Sequence, residues 1–208
     1  MSDDLHRELL RQVAARDGSS EAAMAQLYRA MHSTVFAFVR QRLYGADEHA
    51  VQDVVVEALY EVWRAAGRFA GQSLVKTWVL GVARHKLLDA ARRAPAVPHE
   101  DIDDHAETLA DDNADITAQL TRQQRAQWLQ FCLERLPEDQ RESLHLLLVE
   151  GLAVSEIATL QVCPEGTVKT RVFHARRKLK DCLLRWMKSD VPTSQVPPRQ
   201  PGTDDGNV

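Results

Sequence analysis

The chain of 208 residues has no apolar run approaching the ~20 residues that a membrane-spanning helix needs. Its start, MSDDLHRELL, lacks the basic-then-apolar order of an export signal. A cytoplasmic protein without membrane insertion is therefore expected. Cysteine is scarce: Cys132, Cys163 and Cys182 are odd in number, widely spaced and without a CxxC pair, so neither a disulfide framework nor a zinc knuckle is expected. There is no P-loop, no Gly-rich nucleotide turn, no HExxH and no GxSxG. No catalytic residue, metal, cofactor or small-molecule substrate is indicated. What is present, 44% hydrophobic and 27% charged residues, is the composition of a globular protein with room for one or two domains.

A net charge of -4 argues against a nucleic-acid partner until its distribution is considered. Residues 164–188 hold Lys169, Arg171, Arg176, Arg177, Lys178, Lys180, Arg185 and Lys188 against Glu165 and Asp181 alone. Residues 99–115 hold Glu100, Asp101, Asp103, Asp104, Glu107, Asp111, Asp112 and Asp115 with no Lys or Arg. Segregation of this kind separates a segment that meets phosphate from one that avoids or imitates it.

The basic segment lies in GLAVSEIATLQVCPEGTVKTRVFHARRKLKDCL, residues 151–183. Leu152, Ile157, Ala158 and Leu160 follow helical spacing, Val162-Cys163-Pro164 interrupts it, and Pro164 suits the first position of a new helix. Val168, Val172, Ala175 and Leu179 then form one apolar stripe, which makes a helix-turn-helix whose second helix fits the major groove. At roughly 100° per residue, Gly166, Thr170, Phe173 and Arg177 point away from that stripe, flanked by Lys169 and His174, and are the candidate base readers. Arg171, Arg176 and Lys178 lie nearer the sides, where long cations meet phosphate.

Elsewhere the period is helical almost throughout. Residues 5–43 carry two apolar stripes separated by Asp17-Gly18-Ser19-Ser20, with Ser19 or Ser20 placed to cap the second helix. A third helix is expected over 47–66, a loop over 67–73 (GRFAGQS), and a fourth helix over 74–93, capped by Ser73 and facing the core through Leu74, Trp78, Val82 and Leu87 or Leu88. Cations and an aromatic on that fourth helix, after a small polar loop, suit single-stranded DNA, although Trp78 by itself reads as core. Residues 95–115 read as a flexible acidic linker. Helix returns over 116–136, with Leu120, Trp128, Leu129, Cys132, Leu133 and Leu136 facing inward, and again from Pro137 through Leu144, Leu147, Leu148 and Val149. The tail after Ser189 is rich in Pro, Gly and polar residues and is expected to be disordered.

QDVVVEALYEVW, then RFAGQS and KTWVLGVARHKLLDAARR, an acidic linker, and LPEDQRESLHLLLVEGLAVSEIATLQVCPEGTVKTRVFHARRKLKDCL occur in that order. Over about residues 27–184 the chain thereby resembles a bacterial RNA polymerase sigma factor of the small two-domain group, called extracytoplasmic function or group IV. The resemblance implies an all-α fold: a region 2 domain over 1–94, a linker over 95–115, a region 4 domain over 116–188 and a tail over 189–208. It implies that Gln52, Asp53 and Glu57 dock on core RNA polymerase. The loop Ala70, Gly71, Gln72 and Ser73 is implied to capture a flipped minus-10 base, with Lys76, Arg84, His85 and Lys86 on the strand backbone or adjoining duplex. Lys169, Thr170, Arg171, Phe173, His174, Arg176, Arg177 and Lys178 are implied to bind minus-35 promoter DNA. An anti-sigma factor is an implied partner, and the linker is implied to thread toward the RNA exit path. The alternative is a stand-alone helix-turn-helix regulator, whose operators are palindromic because such proteins are dimers.

Four residues depart from the family pattern. Ala153 lacks the usual capping hydroxyl, a loss of about 1 kcal/mol unless compensated. Gln161 replaces the usual turn glycine and is expected to carry a positive φ there. His85 and Gln72 replace a common Asn and Asp, which points to an unusual minus-10 preference.

Overall fold

The computed structural model describes residues 2–43, 46–93 and 122–188. The linker over 95–115, the tail after Ser189 and Leu120 lie outside the described residues. All regular structure among the described residues is helical. The first domain holds α1 (Asp3–Ala15), α2 (Ser20–Arg42), α3 (Glu48–Ala65), a 3-10 turn (Ala66–Arg68) and α4 (Val75–Arg93). The second holds α5 (Arg122–Glu134), α6 (Glu138–Leu148), α7 (Val154–Gln161) and α8 (Glu165–Lys188).

In the first domain Leu9, Leu10 and Val13 of α1 pack with Leu27, Val35 and Phe38 of α2, and Val51, Val55, Leu59 and Val62 of α3 close over them. The valine-rich α3 is helical because its apolar positions recur every three or four residues, and because Asp47 caps it by accepting the Ala50 N–H at 2.7 Å. Ser19 occupies the position before α2 without capping it; its backbone N–H and its hydroxyl both turn to the Asp17 carboxylate. Ser20 is buried, and its hydroxyl donates to the Gln12 carbonyl.

The fourth helix departs from expectation at its start and in its face. Ser73 does not cap it; its hydroxyl donates to the Leu74 carbonyl, and the Val75 N–H is taken at 2.8 Å by Asp3, from the first turn of α1. Leu74 is exposed, and the buried positions are Val75, Thr77, Val79, Leu80, Ala83 and Leu87. Trp78 and Val82 are half-buried, Trp78 beside Phe69 with ring centroids 5.5 Å apart. The expected face is rotated because α4 is covered from several directions at once, by α1, α2, α3 and also α7.

In the second domain Leu144, Leu146, Leu152, Ile157, Val168 and Ala175 form the centre. Leu129, expected to face inward, is exposed, as are Leu148 and Val149 at the end of α6, whereas Cys132 and Leu136 are buried as expected. Pro164 directly precedes α8, which begins at Glu165. The positive φ falls on Val162, at 54°, and not on Gln161, which ends α7 with its side chain buried. Val162 is 83% exposed, so its strained backbone crowds nothing. The turn is closed by Cys163 N–H donating to the Ala158 carbonyl at 3.0 Å.

The cysteine expectation is overturned. Cys132 of α5 and Cys182 of α8 form a disulfide, with Cα atoms 5.8 Å apart, leaving Cys163 free. Parity and spacing missed it because the partners lie 50 residues apart and meet only once α5 lies along α8. Beside the bridge Trp186 stacks on Trp128 and meets Phe131 edge-on. Closing a loop of 50 residues stabilises by about 4 kcal/mol through the restricted unfolded chain. Reduction, or a Cys132→Ser, Cys182→Ser double substitution, is expected to lower second-domain stability by about that amount. Urea denaturation with hydrogen exchange on α5 measures it; identical protection with and without reductant would contradict it.

Candidate functional site

The second helix of the helix-turn-helix presents the face that its spacing predicts. Val168, Val172 and Ala175 are buried, while Lys169, Thr170, Phe173, Arg176, Arg177 and Lys178 are exposed and His174 is half-buried. Phe173 is 61% exposed, its ring edge-on to His174 at 5.4 Å. An exposed aromatic beside cations offers apolar contact to a thymine methyl, and a guanidinium such as Arg177 suits guanine O6 and N7. Thr170 donates its hydroxyl to the Gly166 carbonyl of its own helix. Lys169 stands 3.9 Å from Glu165 in a wet ion pair worth little. A shallow groove lined by Gln140, Pro164, Gly166, Thr167, Thr170, Arg171 and His174 runs beside this face.

Arg171 differs from the other candidates. Its guanidinium reaches Asp139 at 2.5 Å on α6 and the Gln161 side-chain oxygen at 3.0 Å on α7. Gln161 in turn accepts the Ser143 hydroxyl at 2.8 Å. Arg171 therefore fastens the recognition helix to both preceding helices. The missing hydroxyl at Ala153 is half compensated: Ala153 N–H donates at 3.0 Å to the Glu156 carboxylate, whereas an alanine methyl can accept nothing in return.

The minus-10 candidates are not on one free surface. Ala70, Gly71 and Gln72 are exposed at the loop tip, with Gly71 at φ 72°, and Ser73 is half-buried. His85 is exposed, while Lys86 leans onto Glu61 of α3 at 3.4 Å. Lys76 and Arg84 face the second domain. Lys76 Nζ lies 2.6 Å from the Glu150 carboxylate and donates to its carbonyl at 2.7 Å. Arg84 Nε donates to Glu142 Oε1 at 3.0 Å, and Arg42 Nη1 to Glu142 Oε2 at 2.5 Å. Arg42 also meets Glu138 at 2.5 Å, and Thr77 donates to Glu156 at 2.7 Å. Glu142 is 0% exposed, so its pairs with Arg42 and Arg84 are shielded from water. Nothing in the hydropathy pattern announced these contacts between the domains.

On α3, Gln52 is half-buried with its amide 3.3 Å from the His32 ring, and Asp53 and Glu57 are exposed. The same side carries Val56 at 50% and Tyr60 at 63% exposure, which the sequence reading missed. The available signal was a β-branched and an aromatic residue four apart beside the acids. Together they make an apolar centre with an acidic rim, the composition of a docking surface.

Two family models match, "Sigma-70 region 2" over residues 27–96 and "Sigma-70, region 4" over residues 126–179. The RNA polymerase sigma-H factor of Pseudomonas aeruginosa is 37% identical over 66% of this chain and 75% of its own length. This chain belongs to the sigma-70 family. The ECF RNA polymerase sigma-E factor of Escherichia coli K12 is 32% identical over 62% of this chain and 71% of its own, which places the chain in the extracytoplasmic function group. Its fold is that of the Bartonella quintana sigma factor RpoE, solved in complex with the anti-sigma factor NepR, with TM-score 0.58 and 22% identity over 77% of this chain and 96% of that one. The first domain of this sigma factor is thus region 2, the second region 4, and the ion pairs of Glu142 and Glu150 join them. Among the described residues no helix is long and apolar enough to cross a membrane.

Burial raises the Glu150 pKa, but hydrogen bonds and charge from His145 and Lys76 outweigh it and hold the carboxyl below its ordinary value of 4.5. A depressed carboxyl stabilises the fold above the ordinary Glu range and loses that contribution as pH falls through the folded value. The midpoint of thermal unfolding is expected to fall more steeply below about pH 4.5 in the wild type than in Glu150→Gln. Parallel pH profiles for the two proteins would contradict it.

Proposed function

We propose that this sigma factor holds core RNA polymerase through the α3 face of Gln52, Asp53, Val56, Glu57 and Tyr60, and directs it to promoters read at two elements. The observation that carries this reading is the α8 face, where Thr170, Phe173 and Arg177 stand in solvent while the opposite stripe is buried. Phe173 and Arg177, with Lys169, Thr170 and His174, read minus-35 base edges; Arg176 and Lys178 hold phosphate. The loop of Ala70, Gly71, Gln72 and Ser73 captures a flipped minus-10 base, replacing lost stacking and hydrogen bonds. Lys76, Arg84, His85 and Lys86 hold the strand or the adjoining duplex.

For Lys76 and Arg84 this role requires exchange, because each is held by a region 4 carboxylate. Phosphate must take the place of Glu150 and Glu142, so the domains separate as the minus-10 strand is bound. We assign region 2 to residues 1–94, an acidic tether to 95–115, region 4 to 116–188 and a tail to 189–208. Control by an anti-sigma factor is supported by the complex in which the Bartonella relative was solved. The protein works beside polymerase in the cytoplasm, has no catalytic activity of its own and uses no metal or cofactor.

Transcription reconstituted with core polymerase on a promoter library tests the reading. Promoter-dependent transcripts are expected, and their absence despite a folded chain would contradict it. Within that assay Arg177→Ala is expected to cost about 1–3 kcal/mol on the selected promoter and much less on random DNA. Equal losses on both would make Arg177 a phosphate contact.

A further inference from the structure

The N-terminal helix lies outside both family matches, the first of which begins at residue 27, yet it holds the loop assigned to the minus-10 base. Arg7 of α1 extends its guanidinium across that loop. Nη1 donates to the Gly71 carbonyl at 3.2 Å and Nη2 to the Ser73 carbonyl at 2.6 Å. The guanidinium carbon lies 5.5 Å from the centre of the Phe69 ring, and Nε pairs with Asp3 at 2.5 Å. Asp3 uses its other oxygen, Oδ1, to take the Val75 N–H at 2.8 Å at the start of α4. One ion pair on one turn of α1 thus touches residues 69, 71, 73 and 75.

The loop has little else to define its shape. Ala70, Gly71 and Gln72 are exposed, Gly71 sits at φ 72°, and the Ser73 hydroxyl does not cap the next helix. A Cβ built on Gly71 would lie 3.3 Å from Arg7 Nη1, so the fork rests closely on the loop backbone. A planar fork with two parallel donors fixes the relative orientation of two carbonyls in a way that a single ammonium cannot. A pocket that discriminates a flipped base depends on such orientation, because its hydrogen-bonding groups must already be in place.

From this geometry we infer that Arg7, oriented by Asp3, is a positioning residue for minus-10 recognition, setting the loop so that Gln72 and Ser73 meet the flipped base. The inference rests on the assignment of the loop to the minus-10 element. Arg7 acts through the backbone of the loop and does not itself touch DNA. Its removal is expected to leave the fold intact, since α1 is anchored by buried Leu9, Leu10 and Val13 and by Arg16, whose guanidinium lies over the Trp63 ring and donates to the Trp63 carbonyl.

The test uses the full chain bound to core polymerase on promoters randomised at both elements, and reads the sequence preference at each. Arg7→Ala is expected to flatten the preference at the flipped minus-10 position by about tenfold while leaving the minus-35 preference unchanged. Arg7→Lys, which keeps the charge but not the fork, is expected to recover part of it. Asp3→Asn, whose side-chain oxygen still takes the Val75 N–H, is expected to lie between wild type and Arg7→Ala. An unchanged minus-10 preference in Arg7→Ala, or an equal loss at both elements, overturns the inference. Gln72→Ala and Ser73→Ala separate the two levels. If they flatten the minus-10 preference and Arg7→Ala does not, the positioning role alone fails; if none of the three does, the loop assignment fails with it.

Discussion

A carboxylate with no exposed surface, Glu142, is the constraint on which the relation between the two halves depends. Burying a charge costs several kcal/mol, and the cost is offset only where geometry and partners are good. Here each oxygen has its own guanidinium, Arg42 on one and Arg84 on the other, and Arg42 extends to Glu138 one turn earlier. The arginines come from α2 and α4, so α6 is seated across both helices of region 2. Glu150 on Lys76 and Glu156 on Thr77 extend the seam along α4 toward α7. Because α7 and α6 fix α8, the orientation of the recognition helix follows from the same seam.

Two kinds of cation result from this arrangement. Arg171 is paired within region 4, between Asp139 and Gln161, and ties α8 to α6 and α7. Arg176, Arg177 and Lys178 stand in solvent. In region 2 the division is different in kind: Arg84 and Lys76 are paired across the domain boundary, where the pairing exists only while the domains are together. Residues of the same type, at positions that look alike in sequence, differ in function because of the element facing them.

The limits of the sequence follow the same line. The stripe of Val168, Val172 and Ala175 and the start of α8 after Pro164 were legible, because both depend on periodicity and on proline within a few residues. So was the order of the two domains, which the motifs carry. Illegible were features made by distant partners: Asp3 capping a helix that Ser73 was expected to cap, Cys132 meeting Cys182, and Glu142 closing on two arginines. Leu129, Leu148 and Val149 show the same limit from the apolar side, since spacing reveals a hydrophobic position but not whether anything covers it. Gln161 stands out at the turn in the sequence, yet the positive φ falls on Val162, while the Gln161 side-chain oxygen accepts from Ser143 and Arg171. On α3 the acids mark the exposed surface in the sequence, whereas Val56 and Tyr60, at 50% and 63% exposure, are apolar positions whose exposure only the packing shows.

If Lys76 and Arg84 hold the minus-10 strand as proposed, region 4 carboxylates and that strand compete for the same cations of region 2. Removing Glu142 takes from Arg84 its carboxylate and leaves Arg42 to Glu138 alone, which weakens the closed form and favours separation of the domains. The direct measurement is the affinity of the full chain for a single-stranded minus-10 oligonucleotide, compared between wild type and a Glu142→Ala, Glu150→Ala double variant. Tighter binding by the variant is expected, by about tenfold for a competing contact worth ~1.4 kcal/mol. Equal or weaker binding, with region 2 still folded, would contradict it.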